Sequence, residues 1–392
     1  MKLSFENTNT AFAYKTDAQL KKALWLFTLM RHLPHLTVYL AQIGNTALKW
    51  KLPLVRPLIK SLFFDHFCGG ETLEKCEPTV QKLSNYQIDV ALDIGVEAQQ
   101  SEKAWQSMTK LIIDTILHAS TRPSIPVISL KVTAIGSFEL LEKYSSDLSL
   151  TEQETGQWQQ LQGRLDLICS VASRANRSLY IDAEESWIQP ALDALIMPMM
   201  VRYNQGKAVV FNTYQLYLKS SSGRLLSHHQ KCVKNRAILG AKLVRGAYLE
   251  KEKQRARLLG LDPPVQPSKK ATDHAYDHAV TFCLEHLRDT AICLATHNEE
   301  SHQKAINQIK KLNLDTSRIH FCQLFGMSDH ITFELAKRNF MVLKYLPFGK
   351  LEETFPYLVR RAEENTSVTK DAALEVNRIK AELKRRKKQR AN

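Results

Sequence analysis

Glycine and proline are scarce, at 14 and 13 in 392 residues. That excludes a collagen-like repeat and low-complexity disorder, which need far more of both. The seven cysteines, at positions 68, 76, 169, 232, 283, 293 and 322, are odd in number and form no CxxC pair. Neither a disulfide framework nor a structural zinc site fits, and a reducing, cytoplasmic compartment is expected. The 13 histidines contain no HExxH, so no metal site is expected.

Long apolar runs are missing as well. The stretch 33–48 lacks Lys, Arg, Asp and Glu, but it is short and holds His35, Gln42, Asn45 and Thr46. The first residues carry Glu6 and Asp17 without an apolar core, so they do not read as a secretory signal.

Acidic residues are in deficit, 40 against 54 Lys and Arg, for a net charge of +14. Half of that excess lies between Arg378 and Arg390, where eight basic residues face Glu382 alone. Such a run reads as a solvated helix end or tail, with anionic lipid headgroups as the alternative and a peripheral location on the inner face of a membrane as its consequence. Nucleic acid is not an expected partner.

What is present is a globular composition, 44% hydrophobic and 24% charged, in a chain long enough to bury a large core. Residues 18–66 alternate basic and apolar positions with helical period, which predicts an N-terminal helical arm over 1–80. Eight short β-rich runs then follow: 87–95, 125–136, 178–186, 208–217, 241–248, 290–298, 318–326 and 340–349. Their spacing leaves room each time for a returning helix, and most are apolar throughout, as strands buried on both faces should be. A (β/α)8 TIM barrel is expected over 81–370, with a basic helix or tail over 371–392. A doubly wound sheet is disfavoured, because no GxGxxG follows the first run and no GxxxxGK[ST] occurs.

The C-terminal ends of barrel strands form the active face, so polar residues there are the ones to collect. They are Asp93, Glu97, Lys131, Asp182, Glu184, Glu185, Gln215, Lys242, Arg245, Tyr248, Thr296, His297, Asn298, Gln323 and Tyr345. Lys131 sits in an apolar run and must find an anion, a cavity or solvent; Asp182 on the next strand could supply an internal salt bridge. In Arg245–Gly246–Ala247–Tyr248, the glycine lets backbone approach a ligand, the arginine offers a fork and the tyrosine a ring. In ETFPYLVRRAEEN, Pro356 suits a first helical turn and Tyr357, Arg360, Arg361 and Glu364 share one face. Two adjacent guanidiniums would clamp a carboxylate or phosphate; a surface ion pair between Arg360 and Glu364 is the plainer alternative. With no metal spacing and no GxSxG elbow, the pattern points to an anionic substrate and an organic cofactor. A barrel enzyme that uses Arg360 and Arg361 on a phosphorylated substrate without such a cofactor stays open, as does a basic scaffold for which only the tail speaks.

The segments DAEES, FNTYQLYL, KLVRGAY, ATHN, QLFGM and YLPFG...YLVRRAEEN together resemble the proline dehydrogenase family over about residues 65–370, in its monofunctional form. The resemblance implies a distorted (β/α)8 barrel that uses FAD to oxidise L-proline to Δ1-pyrroline-5-carboxylate, with a quinone as electron acceptor. It implies that Arg360, Arg361 and Lys131 hold the proline carboxylate, and that Tyr248, Leu324, Tyr345 and Tyr357 pack around the ring. Asp182 would orient the clamp and Tyr345, and Glu97 would pair with Arg360. Gln215, Arg245, Gly246, Ala247, Thr296, His297, Asn298, Gln323 and Glu364 would lie at FAD. Lys242 stands where some members carry an arginine that bonds the flavin near N5. Family members acting on 4-hydroxyproline carry a smaller residue at the position of Tyr345, so hydroxyproline is the secondary substrate expectation. No residue is assigned to take the proton from the substrate amine.

Overall fold

The computed structural model describes residues 4–32, 55–95, 99–355 and 369–391. Glu97, Tyr357, Arg360, Arg361 and Glu364 lie outside the described residues. The apolar runs become eight strands: β1 (Asp89–Ile94), β2 (Val127–Leu130), β3 (Ser178–Ile181), β4 (Val210–Gln215), β5 (Leu239–Val244), β6 (Thr290–Ala295), β7 (Ile319–Leu324) and β8 (Met341–Phe348). They form a closed barrel in sequence order. The pairing of β1 with β8 and of each neighbour from β2 to β7 is parallel, and the strands are buried almost throughout, which is why they read as unbroken apolar runs rather than alternating ones.

The chain divides into two compact units. Residues 98–322 form one, holding β2 to β6 and most of β7. Its helices carry conventional caps: Ser101, Ser137, Thr151, Ser268 and Asn298 each accept a backbone N–H in the first turn of the helix that follows. At Thr151 the cap is reciprocal, with Glu154 reaching back to the Thr151 N–H.

Residues 1–97 and 323–392 form the other unit, in which β1 pairs with β8. Its apolar cluster joins Phe12, Leu20, Leu26 and Phe27 of the N-terminal segment to Phe64, Leu351, Phe355, Val376 and Ile379. The basic run lies on the helix Thr369–Ala391. Two of its arginines are turned inward rather than left to solvent. Arg386 donates to the carbonyls of Phe12 and Lys15 at 2.8 Å each and pairs with Asp17 at 2.9 Å, while Arg385 and Arg386 both bond Glu382, itself fully buried.

Candidate active site

β2 is shorter than the apolar run 125–136 suggests and ends at Leu130, one residue before Lys131. Lys131 is extended (φ −108°, ψ 140°) and leads into a 3-10 turn, Val132–Ala134, so it stands at the lip of its strand rather than within it. Lys242, by contrast, does stand inside a strand, buried in β5. Asp182, just beyond β3, donates its N–H to the Leu130 carbonyl at 2.9 Å, which carries the parallel ladder one residue further.

Those three residues meet. Lys242 Nζ lies 2.6 Å from Asp182 Oδ1, and Lys131 Nζ lies 3.6 Å from Asp182 Oδ2. Ser129 Oγ also donates to Asp182, at 3.2 Å. Burial alone would lower the Lys242 ammonium, but the Asp182 charge and its hydrogen bond outweigh that and raise it. Lys242 is therefore held charged. One carboxylate between two ammoniums leaves the group net positive, which prepares it for an anion.

Glu184, two residues on, is buried. Its carboxyl accepts from Thr133 Oγ1 at 2.5 Å and from the Thr133 N–H at 3.3 Å. Its own carbonyl takes the Gln215 amide at 2.7 Å, and Gln215 in turn accepts the Ala247 N–H at 3.3 Å. Burial pushes the Glu184 carboxyl up to about 7; the Thr133 bonds and the Lys131 charge oppose this only in part. The residue thus joins the turn after Lys131 to the loop after β5.

In that loop Gly246 has φ +133°, and a Cβ there would fall 1.7 Å from the Tyr217 ring. Only glycine fits, and the Gly246–Ala247 backbone is left exposed. Arg245 is fixed on three sides: Nε to Asp273 at 2.6 Å, one terminal nitrogen to Thr296 Oγ1 at 2.6 Å and the other to Ser301 at 3.0 Å. Its guanidinium lies 4.4 Å from the Tyr276 ring centre. Asn298 caps the helix Glu299–Lys311, and its N–H bonds Thr296. His297 between them is half-buried. Tyr248 is buried at the start of the helix Leu249–Leu259, with Lys251 5.4 Å from its ring.

In the other unit, Gln323 and Leu324 close β7, with Gln323 accepting from Thr332 at 3.0 Å. Tyr345 lies within β8, 3% exposed, and its carbonyl accepts the Phe325 N–H at 2.9 Å. The sequence reading assigned no role to Ser129, Thr133, Glu184, Asp273 or Ser301. Glu184 alone carried a signal, a carboxylate beside a strand end.

The fold and these side chains define a (β/α)8 barrel enzyme with buried, charge-paired polar residues at its strand ends. Residues 76–373 match the family model for proline dehydrogenase. Proline dehydrogenase 1, mitochondrial, of Dictyostelium discoideum is 30% identical over 86% of this chain and 67% of its own length. The mouse hydroxyproline dehydrogenase is 31% identical over 96% of this chain and 93% of its own. Among solved structures, proline utilization A from Bdellovibrio bacteriovorus, inactivated by N-propargylglycine, superposes with a TM-score of 0.72 at 19% identity. That match covers 91% of this chain and 38% of the other, and shares the fold. The chain belongs to the proline dehydrogenase family and is an oxidoreductase of that kind.

Proposed function

We propose that this protein oxidises L-proline to Δ1-pyrroline-5-carboxylate with FAD as its cofactor. The observation that carries the reading is the Lys131–Asp182–Lys242 group, a net positive cluster built at the ends of β2 and β3 and inside β5. In the reaction the substrate loses a hydride from C5 and a proton from nitrogen, and the C5–N bond becomes double. FAD, when bound, accepts the hydride and supplies the oxidising power.

The residues present suit that cofactor. Cationic, amide and hydroxyl groups after β4, β5 and β6 (Gln215, Arg245, Thr296, His297, Asn298), with the open backbone at Gly246–Ala247, match a polar, phosphate-bearing molecule. Gln323 and Glu364 complete the proposed set. Lys242 donates to Asp182 and is proposed to face the ring system; a lysine offers a point charge there where an arginine would offer a fork.

Lys131 provides one cation for the proline carboxylate, and Arg360 and Arg361 are proposed as the others, with Glu97 as partner to Arg360. Tyr248, Leu324, Tyr345 and Tyr357 are proposed to enclose the ring. Held by its carboxylate, the substrate has C5 placed and water excluded, so positioning is the protein's main contribution. Tyr345 argues for L-proline over its 4-hydroxy derivative, since a phenol ring at this position crowds the added hydroxyl. A quinone is the proposed final electron acceptor, with a peripheral contact at the inner face of a membrane. Among the described residues no helix is long and apolar enough to cross a membrane.

Anaerobic addition of L-proline to the FAD-loaded protein should bleach its visible flavin absorption; a spectrum left unchanged would overturn the reading. Arg360→Ala and Arg361→Ala should each raise KM for L-proline at least about tenfold with flavin retained.

A further inference from the structure

A second lysine lies inside a barrel strand. Lys344, in β8 between Leu343 and Tyr345, is 0% exposed. Its ammonium donates to the Met327 carbonyl at 2.6 Å and to the Leu324 carbonyl at 3.4 Å, and it pairs with Asp329 Oδ1 at 2.8 Å. The second Asp329 oxygen accepts from Tyr14 Oη at 2.9 Å and pairs with Lys15 at 2.7 Å. Tyr14 stacks on Phe333, ring centres 4.8 Å apart. Burial alone would raise the Asp329 carboxyl, yet the Lys15 and Lys344 charges hold it well below the usual carboxylate range.

The residue before Asp329 is also held. Ser328 has φ +50°, a conformation that non-glycine residues enter only when neighbours enforce it. Its N–H donates to Glu375 Oε1 at 2.8 Å, on the helix Thr369–Ala391. The segment Leu324–Asp329 is therefore fastened by β8, by the N-terminal residues Tyr14 and Lys15, and by the C-terminal helix. All these groups belong to one compact unit.

The place of this segment gives the fastening a use. Leu324 begins it, and the Phe325 N–H bonds the carbonyl of Tyr345, the residue next to Lys344. Burying two charges to tie three elements together is a costly way to gain cohesion, since an apolar pair of similar volume would cohere as well. What the ion pair and its main-chain bonds add is a fixed geometry.

We propose that Lys344 and Asp329 are positioning residues for the substrate pocket, holding Leu324 and Tyr345 in the arrangement that admits a plain five-membered ring and rejects a 4-hydroxylated one. Tyr14, Lys15 and Glu375 brace that pair from the two ends of the chain. The inference rests on the function proposed above.

The test compares the FAD-loaded wild type with Lys344→Met and Asp329→Asn, using flavin content, anaerobic flavin bleaching, and kcat and KM for L-proline and trans-4-hydroxy-L-proline. Flavin should remain bound, KM for L-proline should rise about tenfold with kcat falling less, and the proline-to-hydroxyproline ratio of kcat/KM should narrow about fivefold or more. Should these variants fail to fold, Lys15→Met and Tyr14→Phe each remove one brace and should shift the ratio in the same direction by a smaller factor. A wild-type flavin left oxidised by L-proline overturns the function and this inference together. A bleached wild type, with KM and selectivity unchanged in the variants that fold, overturns the inference alone.

Discussion

Lys242 reaches out of β5 to Asp182 beyond β3, 2.6 Å between ammonium and carboxylate, and leaves the second Asp182 oxygen to Lys131 at 3.6 Å. Removing that carboxylate's charge strands two lysines. Asp182→Asn should cost about 3 kcal/mol of stability, because an unpaired buried charge is worse than no pair at all. It should also lower kcat/KM for L-proline at least about tenfold, since Lys131 loses its orientation. Urea unfolding and steady-state kinetics on the same preparation check both.

Glu184 gives a pH signature. Its carboxyl is raised by burial to about 7, above the 4.5 of an exposed glutamate, so the folded state binds a proton that the unfolded chain releases. Stability from this group is full below pH 4.5 and is lost as pH rises through 7, by up to roughly 3 kcal/mol. Glu184→Gln keeps an acceptor for Thr133 and should flatten that decline. Unfolding free energies at pH 5.5 and pH 8 for both proteins measure it; an equally steep fall in the variant would assign the decline elsewhere.

Gly246→Ala should fail twice over, through its left-handed φ and through collision with Tyr217. Displacing the loop from Arg245 to Tyr248 should cost about 2 kcal/mol or more and lower the flavin content of the purified protein. The ratio of visible to ultraviolet absorption and the Tm report the two effects separately.

Tyr345→Ser opens space beside the ring. The ratio of kcat/KM for L-proline over trans-4-hydroxy-L-proline should fall about tenfold, the scale on which a hydrophobic pocket discriminates one small group. An unchanged ratio would remove the tyrosine from substrate selection.

The barrel was legible because parallel strands buried on both faces leave continuous apolar runs at helix-length intervals, and all eight runs became strands. The meeting of Lys131 with Asp182 was legible for a related reason, as a lysine in such a run has few places to go. The tighter partner of Asp182 was not. Which cation comes closest depends on strand register and on how far each strand extends, and β2 stops one residue short of the charge. Lys344 carried the same mark as Lys131, a cation in an apolar run, but its anion lies after β7 and is shared with Tyr14 across a sequence separation of 315 residues. Most of the basic run near the end is exposed, as a solvated helix end should be; what the pattern did not show is that Arg386 turns inward, because Asp17, one of its two anions, sits far away in sequence. Charge patterns show locally that a partner is needed; the fold decides which one.

The pairing of β1 with β8 imposes a schedule on synthesis. Asp89 aligns with Leu343, so β1 emerges from the ribosome about 250 residues before its partner, a delay of roughly 12 to 50 s at ordinary elongation rates. During that interval the apolar edge that β8 will cover has no mate in its own unit, and a chaperone or the nascent chain itself must keep it from neighbours. Yield in a recombinant host should depend on temperature and chaperone supply more steeply than the stability of the finished protein would suggest.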